Sequence, residues 1–269
     1  MSDGSAFDHD AIADVRVRDR FAPRSAKPVA VNWPRRHEKR IPALAGAVLV
    51  FAAYIYFAGR VDQRISTPTA ALMDSLGLGT ICANAQDTAT IVRCAGAIQQ
   101  VLAVRIPGKA CAPKGQSIEP IDMFKRGHAC CFSRARFMEL FFTHYGIKAR
   151  RVSLYQTGRW GSLALFVPKV PSHAATEVLT PDGWMGVDSN EPFVLLTVDG
   201  RPLTYGAIRS PEMRARLVRK PSPDWFYDAD YVVVRGLYSR HGYFIGPNLP
   251  TPEINFADFL AYNFRGSTG

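Results

Sequence analysis

Gly127-His128-Ala129-Cys130-Cys131-Phe132-Ser133-Arg134-Ala135-Arg136-Phe137-Met138-Glu139-Leu140-Phe141-Phe142-Thr143-His144-Tyr145-Gly146 decides how this chain is read. From Cys131 onward, apolar residues fall at 131, 135, 138, 142 and 145. This is the three-and-four spacing of one buried helix face, and Gly146 supplies a stop. Cys131 is therefore expected in the first turn of a core helix. Unpaired backbone N–H groups and the positive end of the helix dipole favour a thiolate over a thiol at that position. Taken alone, the helix fits equally well a free cysteine buried as a small hydrophobe.

The residues downstream favour chemistry. Gly146-Ile147-Lys148-Ala149-Arg150-Arg151-Val152 is followed by Ser172-His173-Ala174-Ala175-Thr176-Glu177-Val178 and then by Gly183-Trp184-Met185-Gly186-Val187-Asp188. Thr180-Pro181-Asp182-Gly183 is a tight-turn sequence between the last two stretches. A hairpin centred near 181 places His173 and Asp188 at the same end of neighbouring strands, facing each other. A cysteine at a helix start, a histidine opening one strand and an aspartate ending the next can meet as nucleophile, base and orienting carboxylate.

These stretches resemble the transglutaminase-like superfamily. Its papain-related core has a Cys at a helix start, a Gly-Ile-x-Ala-Arg turn one helix later, a His-Ala-Trp-x-Glu-like strand and a Trp…Asp strand. The resemblance covers residues 120 to 195. It implies Cys131 as nucleophile, His173 as base and Asp188 as orienting acid; Cys131 fits better than Cys130 because Ala135 then takes the family's alanine position. Ala175 stands where the family has Trp, which alters the cleft beside the base.

The five cysteines bear on the compartment. Cys82, Cys94, Cys111, Cys130 and Cys131 are odd in number. Outside the cytoplasm this suits two disulfides and one free thiol, Cys131. Cys82 with Cys94 and Cys111 with Cys130 is one arrangement, though spacing alone fixes no connectivity. Adjacent Cys130 and Cys131 are poor partners, because bridging them strains the backbone.

Residues 1–40 mix charge, Pro and small residues without an apolar period and are read as a disordered cytoplasmic tail. Asp3, Asp8, Asp10, Asp14 and Asp19 argue against a transit peptide. Residues 41–58 then run without a charge. As a helix they reach about 27 Å, close to the hydrocarbon thickness of a bilayer. Arg35, Arg36, Lys39 and Arg40 precede the run, whereas only Arg60 and Arg64 follow closely, with Asp62 between them. This bias makes 41–58 a single transmembrane helix with the N-terminus cytoplasmic and residues 66–269 periplasmic. A cleaved signal peptide is the competing reading, and the long leader disfavours it.

Helices are expected over Thr67–Leu78, capped by Ser66 or Thr67, over Ala85–Arg105 and over Ser117–Phe124. After Gly146 the period changes from 3.6 to 2. Ala149–Tyr155, Leu163–Val167, His173–Leu179, Trp184–Val187 and Val194–Val198 are expected as strands of an antiparallel sheet. Residues 199–222 read as a connection with a short helix. Tyr231–Val234 is strand-like, and Asn255–Phe264 is a short aromatic helix.

The net charge of +10 raises nucleic acid as a partner, but no helix-turn-helix, zinc finger or aromatic RNA-binding motif is present. No Gly-rich phosphate loop points to nucleotides. His128, Cys130 and Cys131 lack the second ligand pair a structural zinc wants, and Asp224, Asp228 and Asp230 lack the spacing of a calcium loop. Neither metal nor cofactor is expected. Gln116 reads as a surface amide or an oxyanion donor. Arg209, Arg214, Arg216, Arg219 and Lys220 read as a solvated basic cluster or a contact for anionic lipid.

The expected architecture is thus α+β: N-terminal helices with the nucleophile helix packed on an antiparallel sheet, preceded by one membrane helix. The function implied is thioester-mediated hydrolysis or transfer at amide or ester bonds, in a protein, peptide or other envelope substrate. The alternative is an inactive fold of the same kind, serving as a binding module in an envelope or polysaccharide assembly.

Overall fold

The computed structural model describes residues 40–113, 116–167, 170–219, 226–238 and 253–263. The chain divides into two compact units, Met1–Ala47 and Val48–Gly269. Only the start of one helix is described in the first unit, and the tail expected over residues 1–39 lies outside the described residues.

Helix α1 (Arg40–Gly59) falls where the apolar run predicts one. Leu44, Leu49, Val50, Phe51 and Phe57 along it are 65–78% exposed. Among the described residues no helix is long and apolar enough to cross a membrane. The side chains of Arg40, Ile41, Ile55 and Ala58 in α1 lie outside that set.

Three helices follow before the cysteine turn's own lead-in. Ser66 caps α2 (Thr67–Ser75), accepting the Thr69 N–H. The short α3 (Gly79–Cys82) is tied by the Cys82–Cys94 disulfide to α4 (Thr88–Arg105), which Asp87 caps through the Thr90 N–H. Helix α5 (Pro120–Arg126) starts three residues later than the sequence suggests, with Pro120 at its first turn, where a missing N–H costs nothing.

Helix α6 (Cys131–His144) begins and ends as the spacing predicts. Gly146 has φ +76°, Gly146 N–H donates to Thr143 O and Ile147 N–H donates to Phe142 O, closing the helix with a left-handed glycine. One expectation fails: burial is not confined to one face, for every residue from Phe132 to Phe142 is buried. The charged residues on the far side have partners. Arg136 pairs with Glu119 at 2.9 Å, and Glu139 Oε1 accepts the Arg151 backbone N–H at 3.1 Å.

Strands β1 (Ala149–Gln156), β2 (Ser172–Thr180), β3 (Gly183–Val187) and β4 (Tyr231–Arg235) form an antiparallel sheet in the order β3-β2-β1-β4. The turn between β2 and β3 closes at the Thr180–Gly183 pair, as expected. Thr176, directed at the helix, donates its hydroxyl to Ala135 O at 3.1 Å. Alternate residues such as Ala175 join a second core with Val152, Leu154, Tyr205, Phe226, Tyr227 and Tyr231. A two-stranded ribbon, β5 (Leu237–Tyr238) with β6 (Glu253–Ile254), lies apart from this sheet, and α8 (Phe256–Asn263) follows it.

Two expected strands are not strands. The stretch including Leu163–Val167 is a 3-10 segment, Gly158–Phe166, broken where Gly161 adopts φ 52° and ψ −135°. Val194–Val198 makes only isolated bridges, Val187 to Val194, Leu196 to Pro202 and Thr197 to Leu217. Leu195 from this stretch packs against Gly186, where a Cβ would come within 2.5 Å of Leu195 Cδ1. Among the described residues between 199 and 219 the helical pieces are Ala207–Arg209, a 3-10 turn, and α7 (Pro211–Ala215). Phe264, Lys220 and Trp225 lie outside the described residues.

Candidate active site

Cys131 is the first residue of α6, and Cys130 is its N-cap. Cys130 makes no side-chain capping bond, because its sulfur is joined to Cys111. Both disulfides therefore follow the arrangement the odd count suggested, and Cys131 is the free, partly buried cysteine. The Cys111 bridge also anchors the loop after Ile106 to the helix start, where Lys109 N–H donates to Ala129 O at 3.0 Å.

His173 is the second residue of β2, paired across to Leu154 of β1. Asp188 follows the last residue of β3, and the register that pairs Thr176 with Val187 would set it opposite Ala175. The direct facing of His173 and Asp188 expected from the hairpin is thus two residues out. Because the offset is two, both still point to one side of the sheet as diagonal neighbours, within reach for side chains of this length. His173 Nε2 lies 2.9 Å from Asp188 Oδ2. That leaves the other ring nitrogen, Nδ1, uncommitted to Asp188, and the Cys131 thiol lies within electrostatic reach of the His173 imidazole and of the Ala174 backbone N–H.

Charge follows from this packing. Burial opposes the Cys131 thiolate, but the hydrogen bond and positive charge of His173, with the Ala174 N–H, outweigh it and lower the thiol pKa. Burial likewise opposes the imidazolium, yet the charge and hydrogen bond of Asp188 outweigh it and hold His173 well above its ordinary value. Asp188 is only 1% exposed. Burial raises its carboxyl, and His173, Tyr227 and the Glu191 N–H more than reverse that, leaving it ionised below its ordinary value. Each shift in the row thus favours the charged form: thiolate, imidazolium and carboxylate.

Two residues of this site were not found from sequence. Tyr227 donates its phenol O–H to Asp188 Oδ2, while Asp188 Oδ1 accepts the N–H groups of Asn190 at 2.6 Å and Glu191 at 2.9 Å. Tyr227 lies 39 residues beyond Asp188, and no local pattern marks it. Gln99 is buried in α4, and its Nε2 reaches Asp188 O at 2.9 Å, Glu191 O at 3.1 Å and Phe193 O at 2.7 Å. A signal for Gln99 exists: it is an amide set into the apolar face formed by Ile91, Cys94, Ile98 and Leu102. Ser189 ties the pieces together, donating to Ala174 O at 2.8 Å.

Other candidate residues lie elsewhere or serve other ends. Gln116 is exposed, and its N–H donates to Pro113 O. His128 Nδ1 lies 3.1 Å from Arg126 O, and His144 pairs with Asp74 at 2.7 Å. Arg216 pairs with Asp199, and Arg214 and Arg219 bind backbone carbonyls. Among the described residues no group of three or more His, Cys, Asp or Glu is placed to hold a metal. A cleft of about 880 Å³ lies between Tyr56–Arg64 and Ile254–Ala257, sharing no lining residue with the triad.

Fold and site together define an α+β protein with a thiol, an imidazole and a carboxylate in line where a helix start meets the end of an antiparallel sheet. No protein-family model matches the chain, and no curated protein does.

Proposed function

We propose that this protein is a transglutaminase-like cysteine enzyme acting on amide or ester bonds. The observation that carries the reading is the 2.9 Å contact of His173 Nε2 with Asp188 Oδ2, with the free thiol of Cys131 near enough to the same imidazole for its charge to favour the thiolate. Cys131 Sγ attacks the carbonyl carbon, and its oxyanion is held by the Cys131 backbone N–H at the start of α6. The C–N or C–O bond then breaks as His173 gives its proton to the leaving amine or alcohol. The resulting thioester is attacked by water or by an amine, whose proton returns to His173, and the thiolate is restored. Asp188 keeps the imidazole oriented throughout and is not itself protonated.

The same reading places the enzyme at a membrane, tethered by residues 41–58, with its substrate a protein, peptide or other amide- or ester-bearing molecule of the cell envelope. The exposed apolar side chains of α1 and the two disulfides support that placement. Carbonate extraction should leave the full chain in the membrane fraction, and release it once residues 1–59 are removed. Release of the full chain would refute the tether.

Iodoacetamide at neutral pH should modify the native chain at Cys131 alone, and Cys131→Ala should abolish the labelling. A native protein whose Cys131 stays unmodified would refute the enzyme reading.

A further inference from the structure

We infer that Tyr227 is a positioning residue of the Cys131 site: its phenol O–H shares Asp188 Oδ2 with His173, so it holds the carboxylate in place and tempers its pull on the imidazolium. The inference rests on Cys131 being the nucleophile.

Asp188 is enclosed by four donors. Asn190 and Glu191 N–H groups occupy Oδ1, and His173 Nε2 and the Tyr227 hydroxyl occupy Oδ2. Two donors fix the plane of the carboxylate, and Tyr227 takes up density that would otherwise be directed at the imidazolium alone. Hydrogen bonds to an ionised acceptor lower its basicity. Burial, and then the charge of Asp188, hold the Tyr227 phenol well above its ordinary value, so it remains a donor over the working range.

The ring is held where this requires. It stands edge-on to the His173 imidazole with centroids 6.0 Å apart, stacks on Tyr205 at 6.1 Å and meets the edge of Phe193 at 5.8 Å. The charged or titratable groups facing the site are Cys131 and Arg134 from α6, His173 from β2, Tyr205 from the chain after β3, and Tyr231 from β4. Arg134 Nη1 bonds Asn190 Oδ1 at 3.0 Å and does not depend on Tyr227.

Loss of the phenol donor concentrates charge on the side of Asp188 that faces the imidazolium. His173 should then release its proton at higher pH. The same field opposes the thiolate, as Asp188 already does, so Cys131 should ionise at higher pH too. A joint upward shift of both titrations is the signature, and loss of packing alone would not produce it.

The test uses the full chain carrying Tyr227→Phe, with the lower titration read from the pH dependence of iodoacetamide alkylation at Cys131 and the upper from the imidazole ¹⁵N resonances of His173. Each should rise by about half to one pH unit, the scale of one charge-assisted hydrogen bond partly compensated. Placing 3,5-difluorotyrosine at position 227, a stronger donor, should move both downward, and it keeps the ring if Tyr227→Phe fails to fold. Tyr231→Phe is the control, since it removes a buried hydroxyl bond to Tyr205 O at 2.9 Å without touching Asp188, and it should move neither titration. Unmoved titrations in Tyr227→Phe, equal shifts in Tyr231→Phe, or failure of both position-227 variants to fold would overturn the inference. A wild-type Cys131 that resists alkylation at every pH would overturn the enzyme reading, and this inference with it.

Discussion

Strand β2 carries two buried charge clusters four residues apart, and they are built to opposite ends. At Glu177 the carboxylate is saturated by cations: Arg150 Nε donates at 2.8 Å, Arg235 Nε and Nη2 at 3.0 Å each, and the Tyr205 N–H at 3.1 Å. Arg150 is in turn stacked against Trp184 at 3.8 Å and Tyr262 of α8 at 4.1 Å. Every charge there faces a fixed partner, so the cluster can only hold the sheet and α8 together. At His173 the row ends instead on Cys131, a residue only partly buried and bound in no disulfide. The difference shows that burial of ionisable groups does not by itself mark a reactive site; on the function proposed, the Cys131 end of the row is where a reactant would arrive.

Substitution at each cluster breaks the comparison in a different measurement. His173→Ala should cost turnover about 10²- to 10⁴-fold, the usual range for loss of a general acid and base, and should also lower the denaturant midpoint because it leaves the buried Asp188 without its cation. Glu177→Gln should lower stability without the loss of turnover. Removing one partner of a buried ion pair costs about 3–5 kcal/mol, here by leaving Arg150 and Arg235 uncompensated, and equilibrium unfolding in urea should show it while folded protein keeps its Cys131 reactivity.

The Glu177 cluster also sets an acid limit. Burial raises that carboxyl, but Arg235 and Arg150 outweigh it and depress the pKa. Its stabilisation is therefore present above the ordinary glutamate range and is lost as pH falls through the lower folded value. Melting scans should show stability declining below that range in the natural chain and a shallower decline in Glu177→Gln. Gln99→Leu should have the smallest effect, about 1–3 kcal/mol, by leaving the Asp188, Glu191 and Phe193 carbonyls without their amide. Slower alkylation of Cys131 in that variant would show that α4 helps to place Asp188.

Much of this arrangement was legible in the chain because it is local. Apolar spacing and the Gly146 stop located α6, Pro181-Asp182-Gly183 located the hairpin, and the position of Cys131 at a helix start follows from both ends of that helix. What was illegible depends on partners distant in sequence. Ser133, Arg134, Arg136 and Glu139 look like a solvated face, yet they are buried, with Glu119 and Arg151 arriving from α5 and β1 to meet two of them. Arg151 itself is fully buried between Phe132 and Tyr238, at 4.9 and 3.9 Å. Leu163–Val167 has strand composition, but most of it lies in a 3-10 segment, Gly158–Phe166, that Gly161 kinks with its positive φ. Tyr227 reaches Asp188 only because the sheet brings β4 alongside β1.

The most direct test of the reactive row is the pH dependence of iodoacetamide alkylation at Cys131 in the intact chain. A thiol whose pKa is lowered by its neighbouring imidazolium should begin to react at lower pH than an ordinary thiol, and His173→Ala should move that onset upward. Alkylation that instead rises along a single curve centred near an ordinary thiol value of about 8.5, unchanged by His173→Ala, would contradict the account.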